Sequence, residues 1–438
     1  MDTAVGPDDP PLAGQAITGA EALPDSEGVI RAGRLAGRTM WSAIWILALP
    51  VLVQQTMAAC VGMFDKIIAG DLPDDIVVAA MDGLGVGSYI GWFIGIAMTG
   101  VGIGGQALIA RAMGAGRLGE GRAALGQAIT LAFIWGFAVG AVLWLLAPPL
   151  AATCNMTEAA ATYLIEYVRM LAYSMPLCGV MMVGGMCLHG AGETVWPSLI
   201  AVLVNVVNVV ASWILSGADI TVGDWVLMNP FAFDLHVAGI AAGSSISYVA
   251  GGLATLAILV RGVKDLDLRR AALRPERTMM WRIVRIGIPS FCEGISMWAV
   301  NLFVLQFIGI IGARAGDGAA GEGLQGAHII AIQWEAFSFM PGFAIGTAAG
   351  ALAGQYLGAG SASMAMRAVI RCTILGVGVM GSLGIVFMLF GETLTSIVSD
   401  EPVHLEYTPR LLAICGAMQV FFAITMVFRQ GLRGVGDT

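Results

Sequence analysis

CLHGAGET occupies residues 187–194 and GLRGVGDT residues 431–438. Position 431 follows position 187 by 244 residues. A second pair keeps the same offset: Gly114 opens the final GAG of VGIGGQALIARAMGAG (101–116), and Gly358 opens that of IGTAAGALAGQYLGAG (345–360). LALPVLVQQ (47–55) and IGIPSFCEG (286–294), with Pro50 and Pro289, fall near that spacing. Independent motifs that recur in one order at one offset mark a tandem repeat of a single structural unit.

Composition says where the unit lives. The 438 residues are 58% hydrophobic and 12% charged, whereas a soluble domain carries about 25% charge. A mean hydropathy of +0.82 exceeds what one aqueous core can hide, so the chain belongs in a bilayer. Its 60 glycines suit closely packed membrane helices. The seven cysteines (Cys60, Cys154, Cys178, Cys187, Cys292, Cys372 and Cys415) show no CxxC spacing and fall mostly inside apolar runs. They read as small packing residues, with no disulfide or metal framework.

About 20 helical residues cross about 30 Å of hydrocarbon. Runs of that kind lie near 41–64, 77–109, 123–149, 159–187, 196–216, 237–260, 286–313, 325–354, 368–390 and 407–428, which predicts ten spans. The second connection carries Arg111, Arg117 and Arg122. The sixth carries Arg261, Lys264, Arg269, Arg270, Arg274, Arg277, Arg282 and Arg285. The odd-numbered connections hold mainly acids: Asp71, Asp74 and Asp75, then Asp219, Asp224 and Asp234, then Glu392, Asp400 and Glu401. The positive-inside rule puts the basic connections and both chain ends in the cytoplasm. Residues 1–38 are polar and rich in Pro, Gly and acid, without an apolar run behind a basic start. They are expected to form a disordered cytoplasmic tail, with Arg31, Arg34 and Arg38 before the first span. The net charge of −8 resides mostly in this tail and the loops and points to no nucleic-acid partner.

Each unit starts on the same side, so the repeat is parallel. The expected fold is all-α and integral to the membrane, built as two lobes of parallel six-helix repeats. The first lobe spans 39–262 with six helices, and the second spans 263–438 with four. The second is expected to lack its last two helices, as in a fragment of a twelve-span protein. Duplicated membrane units without a cofactor motif are typical of transporters whose site lies between the halves.

A resemblance then becomes specific. LPVLVQQ, FDKIIAG, GGQALIARAMGAG, HGAGETVWPSL, GIAAGSSIS, FMPGFAIGTAAGALAGQYLGAG and GLRGVGDT, in that order over residues 40–438, resemble the signature segments of the multidrug and toxic compound extrusion family. The resemblance implies two six-helix lobes around a central cavity that opens alternately to each side. It also implies secondary efflux of organic, often cationic, compounds against H+ or Na+, with no cofactor beyond the coupling ion.

The resemblance also implies site residues. Asp65 in FDKIIAG matches the family's first-helix acid, and an ionisable group within a span is costly enough to be a functional candidate. Its alternative is an interfacial pair with Lys66. The family pattern in the fifth span sets an acid or amide close behind an Asn, whereas NVVAS supplies Asn208 and then Ser212. Ser244 stands where the family usually has Thr. Asp65, Asn208, Ser212 and Ser244 together offer one charge and several oxygens, a ligand set for a small hard cation; interhelical hydrogen bonding is the alternative for the uncharged three. Glu293 resembles an acid frequent after the proline in bacterial members, where it would exchange protons or attract a cation unless it is held in a structural pair. Gln54, Gln55, Met297, Trp334 and Glu335 are expected to line the substrate cavity, with Trp298, Phe337, Phe339 and Met340 as further candidates for receiving flat cations. Asp82 reads as a loop or interface acid, and His328 as a packing residue.

The expected partners are a small organic substrate and membrane lipid, for a monomer in the plasma (inner) membrane. A lipid-linked sugar flippase shares the superfamily architecture but should show arginines or lysines for pyrophosphate. Apart from Lys66, Arg169 and Arg410, the expected spans are short of bases. A membrane-embedded enzyme is a further alternative, but no nucleophile–base pair or metal motif supports it.

Overall fold

The computed structural model describes residues 30, 33–73, 75–153, 157–222, 225–231, 233–314, 324–399 and 401–437. Asp74, Asp224, Asp400, Arg31 and Cys154 lie outside the described residues, as does most of the expected tail. Among the described residues ten helices are long and apolar enough to cross a membrane, so the chain is a multi-pass membrane protein. They are α1 (Met40–Gly70), α2 (Val77–Gly114), α3 (Leu118–Thr153), α4 (Glu158–Gly190), α5 (Val195–Ser216), α6 (His236–Arg261), α7 (Arg277–Arg314), α8 (Leu324–Gly358), α9 (Ala362–Ser396) and α10 (Pro402–Gly434).

Most of these helices outrun their apolar stretches. A 33-residue helix such as α4 is about 50 Å long, against about 30 Å of hydrocarbon, so its ends stand clear of lipid. The stops are local. Glycines with positive φ at 116, 192 and 360 end the turns after α2, α4 and α8. Side-chain caps from Thr39, Thr157 and Ser361 open α1, α4 and α9. A two-stranded hairpin pairs β1 (Ile220–Val222) with β2 (Trp225–Leu227) in the α5–α6 connection, a small exception to the all-α expectation. A short 3-10 turn (Arg270–Leu273) lies in the α6–α7 connection. It is fastened to α3 by Gln127, whose amide donates to the carbonyls of Ala272 (2.8 Å) and Arg274 (2.7 Å).

The helices form two bundles. In one, α4 packs against α2, α3 and α6, and α5 against α6; in the other, α8, α9 and α10 pack on one another. The bundles meet through α2 against α7 and α8, and through α1 against α8. The repeat is visible in these contacts. A Cβ on Gly114 would collide with the Gln355 carbonyl, and a Cβ on Gly358 with that of Arg111; Arg111 and Gln355 are themselves 244 residues apart. Gly190 presses on Gln106 as Gly434 presses on Gly350. Only glycine lets two helix backbones approach this closely. Along α2 and α7 the tight points are Gly104 on Ile283 and Gly100 on Gly287, all toward the arginine-rich end, where the bundles are clamped together.

Two sequence expectations change here. Within the expected tail, Leu35 (1% exposed) and Ile30 are buried against the helices. The tenth helix continues past 428 to Gly434 and carries Arg429 and Arg433.

Candidate functional site

Pro50 in α1 has no N–H to give to the Ile46 carbonyl, and an orphaned carbonyl in a membrane must find another donor. Thr194, at the start of α5, supplies it: its hydroxyl donates to Ile46 O at 3.0 Å. One turn on, Ser198 donates to the Pro50 carbonyl, and Asn205 donates to Met57 O at 2.8 Å. This polar stripe lays α5 along α1 and brings Asn208 opposite Asp65.

There the four first-lobe candidates converge. The Asn208 amide donates to Asp65 Oδ1 at 3.1 Å, with Ser244 Oγ at 3.0 Å and Ser212 Oγ at 3.4 Å from the same nitrogen. Ser244 donates to Asp65 Oδ2 at 2.8 Å, and Ser212 donates to the Ile240 carbonyl at 3.2 Å. Close approach of α6 makes this possible, since a Cβ on Gly243 would overlap Ser212. All four residues are buried, with Asp65 only 5% exposed. Asp65 is thus held inside the bundle by α5 and α6, and no ion pair with Lys66 occurs among the described residues. The Asn208 carbonyl oxygen is buried without a partner among the described residues. The Asn208 nitrogen therefore faces the Asp65, Ser212 and Ser244 oxygens, and together they make a buried, hydrogen-bonded polar cluster around one carboxyl group.

Tyr167 of α4 and Tyr248 of α6 wall this site, close enough to Asp65 to feel its charge. Sequence reasoning missed both. Gly87 was the available signal, since a Cβ there would strike the Tyr167 ring.

Glu293 does not join this group. It lies on α7 with its carboxylate forked between two arginines one turn apart on α10: Arg429 Nη1 to Oε1 at 2.5 Å and Arg433 Nη2 to Oε2 at 2.6 Å. Of the two readings open for Glu293, the geometry shows the pair: its carboxylate is held by two arginines. The apolar count had ended the tenth span before both arginines, although their i, i+4 spacing in FRQGLRG (428–434) places them on one helix face. Pro289, Glu293, Arg429, Arg433 and Asp437 line a cavity of about 510 Å³. The first repeat holds the uncharged counterpart of this pair. Gln54 follows Pro50 as Glu293 follows Pro289, and His189 stands 244 residues before Arg433; His189 Nε2 and Gln54 Oε1 are 3.1 Å apart.

The other expected cavity residues are scattered. Gln55 is half-buried on α1, and Met297 is exposed with its sulfur 3.6 Å from Arg429 Nη1. Trp334 donates its indole N–H to the Leu394 carbonyl at 3.0 Å and leans on Phe337, while Phe339 stacks on Phe422. Glu335, half-buried on α8, faces the Cys415 thiol and has no basic partner among the described residues. The Trp298 side chain lies outside the described residues. No group of three or more His, Cys, Asp or Glu suited to a metal occurs among the described residues.

Two repeated helical bundles clamped at one end, with a buried carboxylate among oxygens in one of them, define a membrane transporter. Residues 50–214 and 289–438 match the MatE family. The chain belongs to the multidrug and toxic compound extrusion family, whose members are efflux transporters. It is 26% identical over 394 residues to the probable multidrug resistance protein NorM of Thermotoga maritima, covering 90% of this chain and 79% of that protein. It is 24% identical over 436 residues to the multidrug resistance protein PmpM of Pseudomonas aeruginosa, covering 95% and 82%. Among solved structures, a MATE protein in the bent conformation shares the fold at a TM-score of 0.79 and 19% identity, covering 91% of this chain and 83% of that one.

Proposed function

We propose that the protein exports organic, mainly cationic, compounds by antiport, with H+ or Na+ entering at Asp65. The two lobes, 39–262 and 263–438, open alternately to each side of the plasma (inner) membrane, with the arginine-rich end in the cytoplasm. The observation that carries this reading is the buried Asp65 carboxylate, bonded to Asn208 and Ser244 with no basic partner among the described residues. A bare carboxylate in low dielectric is costly, so the site favours a bound proton or cation. Loading it changes hydrogen bonds that join α1, α5 and α6, and a ligand shifts a conformational equilibrium only through such differential contacts.

Glu335 supplies negative charge in the second lobe, where Glu293 is already neutralised, and Trp334 and Phe337 stand beside it as aromatic surface for a flat cation. A flippase for pyrophosphate-linked sugars needs free bases. Arg429 and Arg433 share the Glu293 carboxylate, and Asp437 lines the same cavity, so the formal charges cancel and no free base is left there for a pyrophosphate. The test is efflux of a fluorescent organic cation from vesicles under an imposed H+ or Na+ gradient. Efflux that rises with one gradient and stops when it is collapsed supports antiport; efflux that ignores both overturns it.

A further inference from the structure

The short segment before α1 reaches groups on both sides of the clamped end. Leu35 and Ile30 are buried in one apolar cluster with Ile44 and Leu47 of α1, Leu352 and Tyr356 of α8, and Ala368 of α9. The polar atoms of the segment point the other way. The Gly33 N–H donates to Asp265 in the α6–α7 connection at 2.9 Å, and Arg34 pairs with Glu193 in the α4–α5 turn at 3.5 Å. Leu35 also meets Gly192 of that turn, at the point where the Gln355 amide arrives from α8. Gln355 completes the junction by donating to the Gly190 carbonyl at 2.9 Å.

These contacts have one geometric consequence. Leu35 is seated against α1, α8 and α9, while the two residues before it, Gly33 and Arg34, grip the α6–α7 connection and the α4–α5 turn. If α4 and α8 separate at this end, either Leu35 leaves its cluster or Arg34 and Gly33 leave their partners.

We infer that residues 33–38 form a strap that holds the arginine-rich end of the transporter shut and must release before that end opens. The inference rests on the alternating-access reading above for its functional meaning, while the strap itself is a property of the closed structure. Its apolar grip comes from burying Leu35. Its polar grip is the Arg34–Glu193 pair: loss of Arg34 leaves the buried Glu193 carboxylate with Lys264 alone against its charge, and loss of both partners removes that cost.

Spin labels on Gly119 at the start of α3 and Ala362 at the start of α9, in a background with the native cysteines replaced, report the separation of the two bundles without any need for transport. With the strap intact, the distance distribution should be dominated by one short population. Leu35→Ser and Arg34→Ala should each raise a longer, separated population by about tenfold. Arg34→Ala combined with Glu193→Gln should bring the distribution back toward the original. Leu35→Met, which keeps the apolar volume, should leave it unchanged, and thermal melts confirm that each variant is folded. Unchanged distributions in folded Leu35→Ser and Arg34→Ala overturn the strap. If the distributions shift but efflux never responds to an ion gradient, the strap stands and the antiport reading fails.

Discussion

Ser244 on α6 donates its hydroxyl to Asp65 on α1 at 2.8 Å, across 179 residues of sequence. The bond ties the acid to a helix that α1 otherwise touches little, so whatever neutralises Asp65 changes what holds α1 to α6. Ser244→Ala removes one ligand oxygen and one donor while leaving the carboxylate in place. A hydrogen bond to a charged group contributes about 1.5–3 kcal/mol. The half-saturating concentration of the coupling ion should therefore move by about tenfold or more, measured as initial efflux rate against external Na+ or H+. The maximal rate should change less.

Glu293→Gln should destabilise the protein, because it leaves Arg429 and Arg433 facing each other without their shared carboxylate. The group is partly exposed, so the loss should be about 1–2 kcal/mol, read as a lower melting temperature in detergent. Adding Arg433→His recreates the Gln54–His189 pairing of the first repeat and should recover part of the loss.

Glu335, half-buried on α8, has no basic partner among the described residues. Glu335→Gln should weaken efflux of cationic substrates more than of neutral ones of similar shape, since it removes attraction and keeps volume. Competition assays with a matched cationic and neutral pair give the comparison. Equal losses would assign Glu335 to packing.

Glu193 gives the strap a pH signature. Burial raises its carboxyl pKa above the ordinary range, while Arg34 and Lys264, the charged groups facing it, pull it back. A raised carboxyl pKa means that the closed arrangement is favoured below that pKa and pays for the charge as pH rises through it. In Arg34→Ala the opposing pull is reduced to Lys264, so the closed population should become steeply pH-dependent, recovering as pH falls and shrinking as it rises. In the parent protein the same titration should be shallow. The Gly119–Ala362 label distance, followed across pH, measures both.

Much of this architecture can be read from residues. The 244-residue repeat announces the two bundles because each glycine in it is fixed by a backbone on the opposing helix, as at Gly114 and Gly358; a residue held by main-chain contact leaves a position-specific mark. Asp65, Asn208 and Ser244 are legible for a similar reason, since a polar atom inside a span needs a partner. The partners of Glu293 are harder to see, because a hydropathy count ends a span where charge begins, whereas α10 continues as helix and places Arg429 and Arg433 opposite it. The strap was hidden by composition: Gly33, Arg34 and Gly37 look like loop chemistry, and the burial of Leu35 depends on helices more than 300 residues away.

The central claim is that Asp65 carries the driving ion. The most direct measurement compares Asp65→Asn with the parent protein in vesicles by two assays: efflux driven by an imposed H+ or Na+ gradient, and substrate exchange at equal ion concentrations on both sides. Asparagine keeps the size and the bonds to Asn208 and Ser244 within reach but neither titrates nor carries charge. The account predicts that gradient-driven efflux is lost while exchange and substrate binding persist. Gradient-driven efflux that survives unchanged in Asp65→Asn would contradict it.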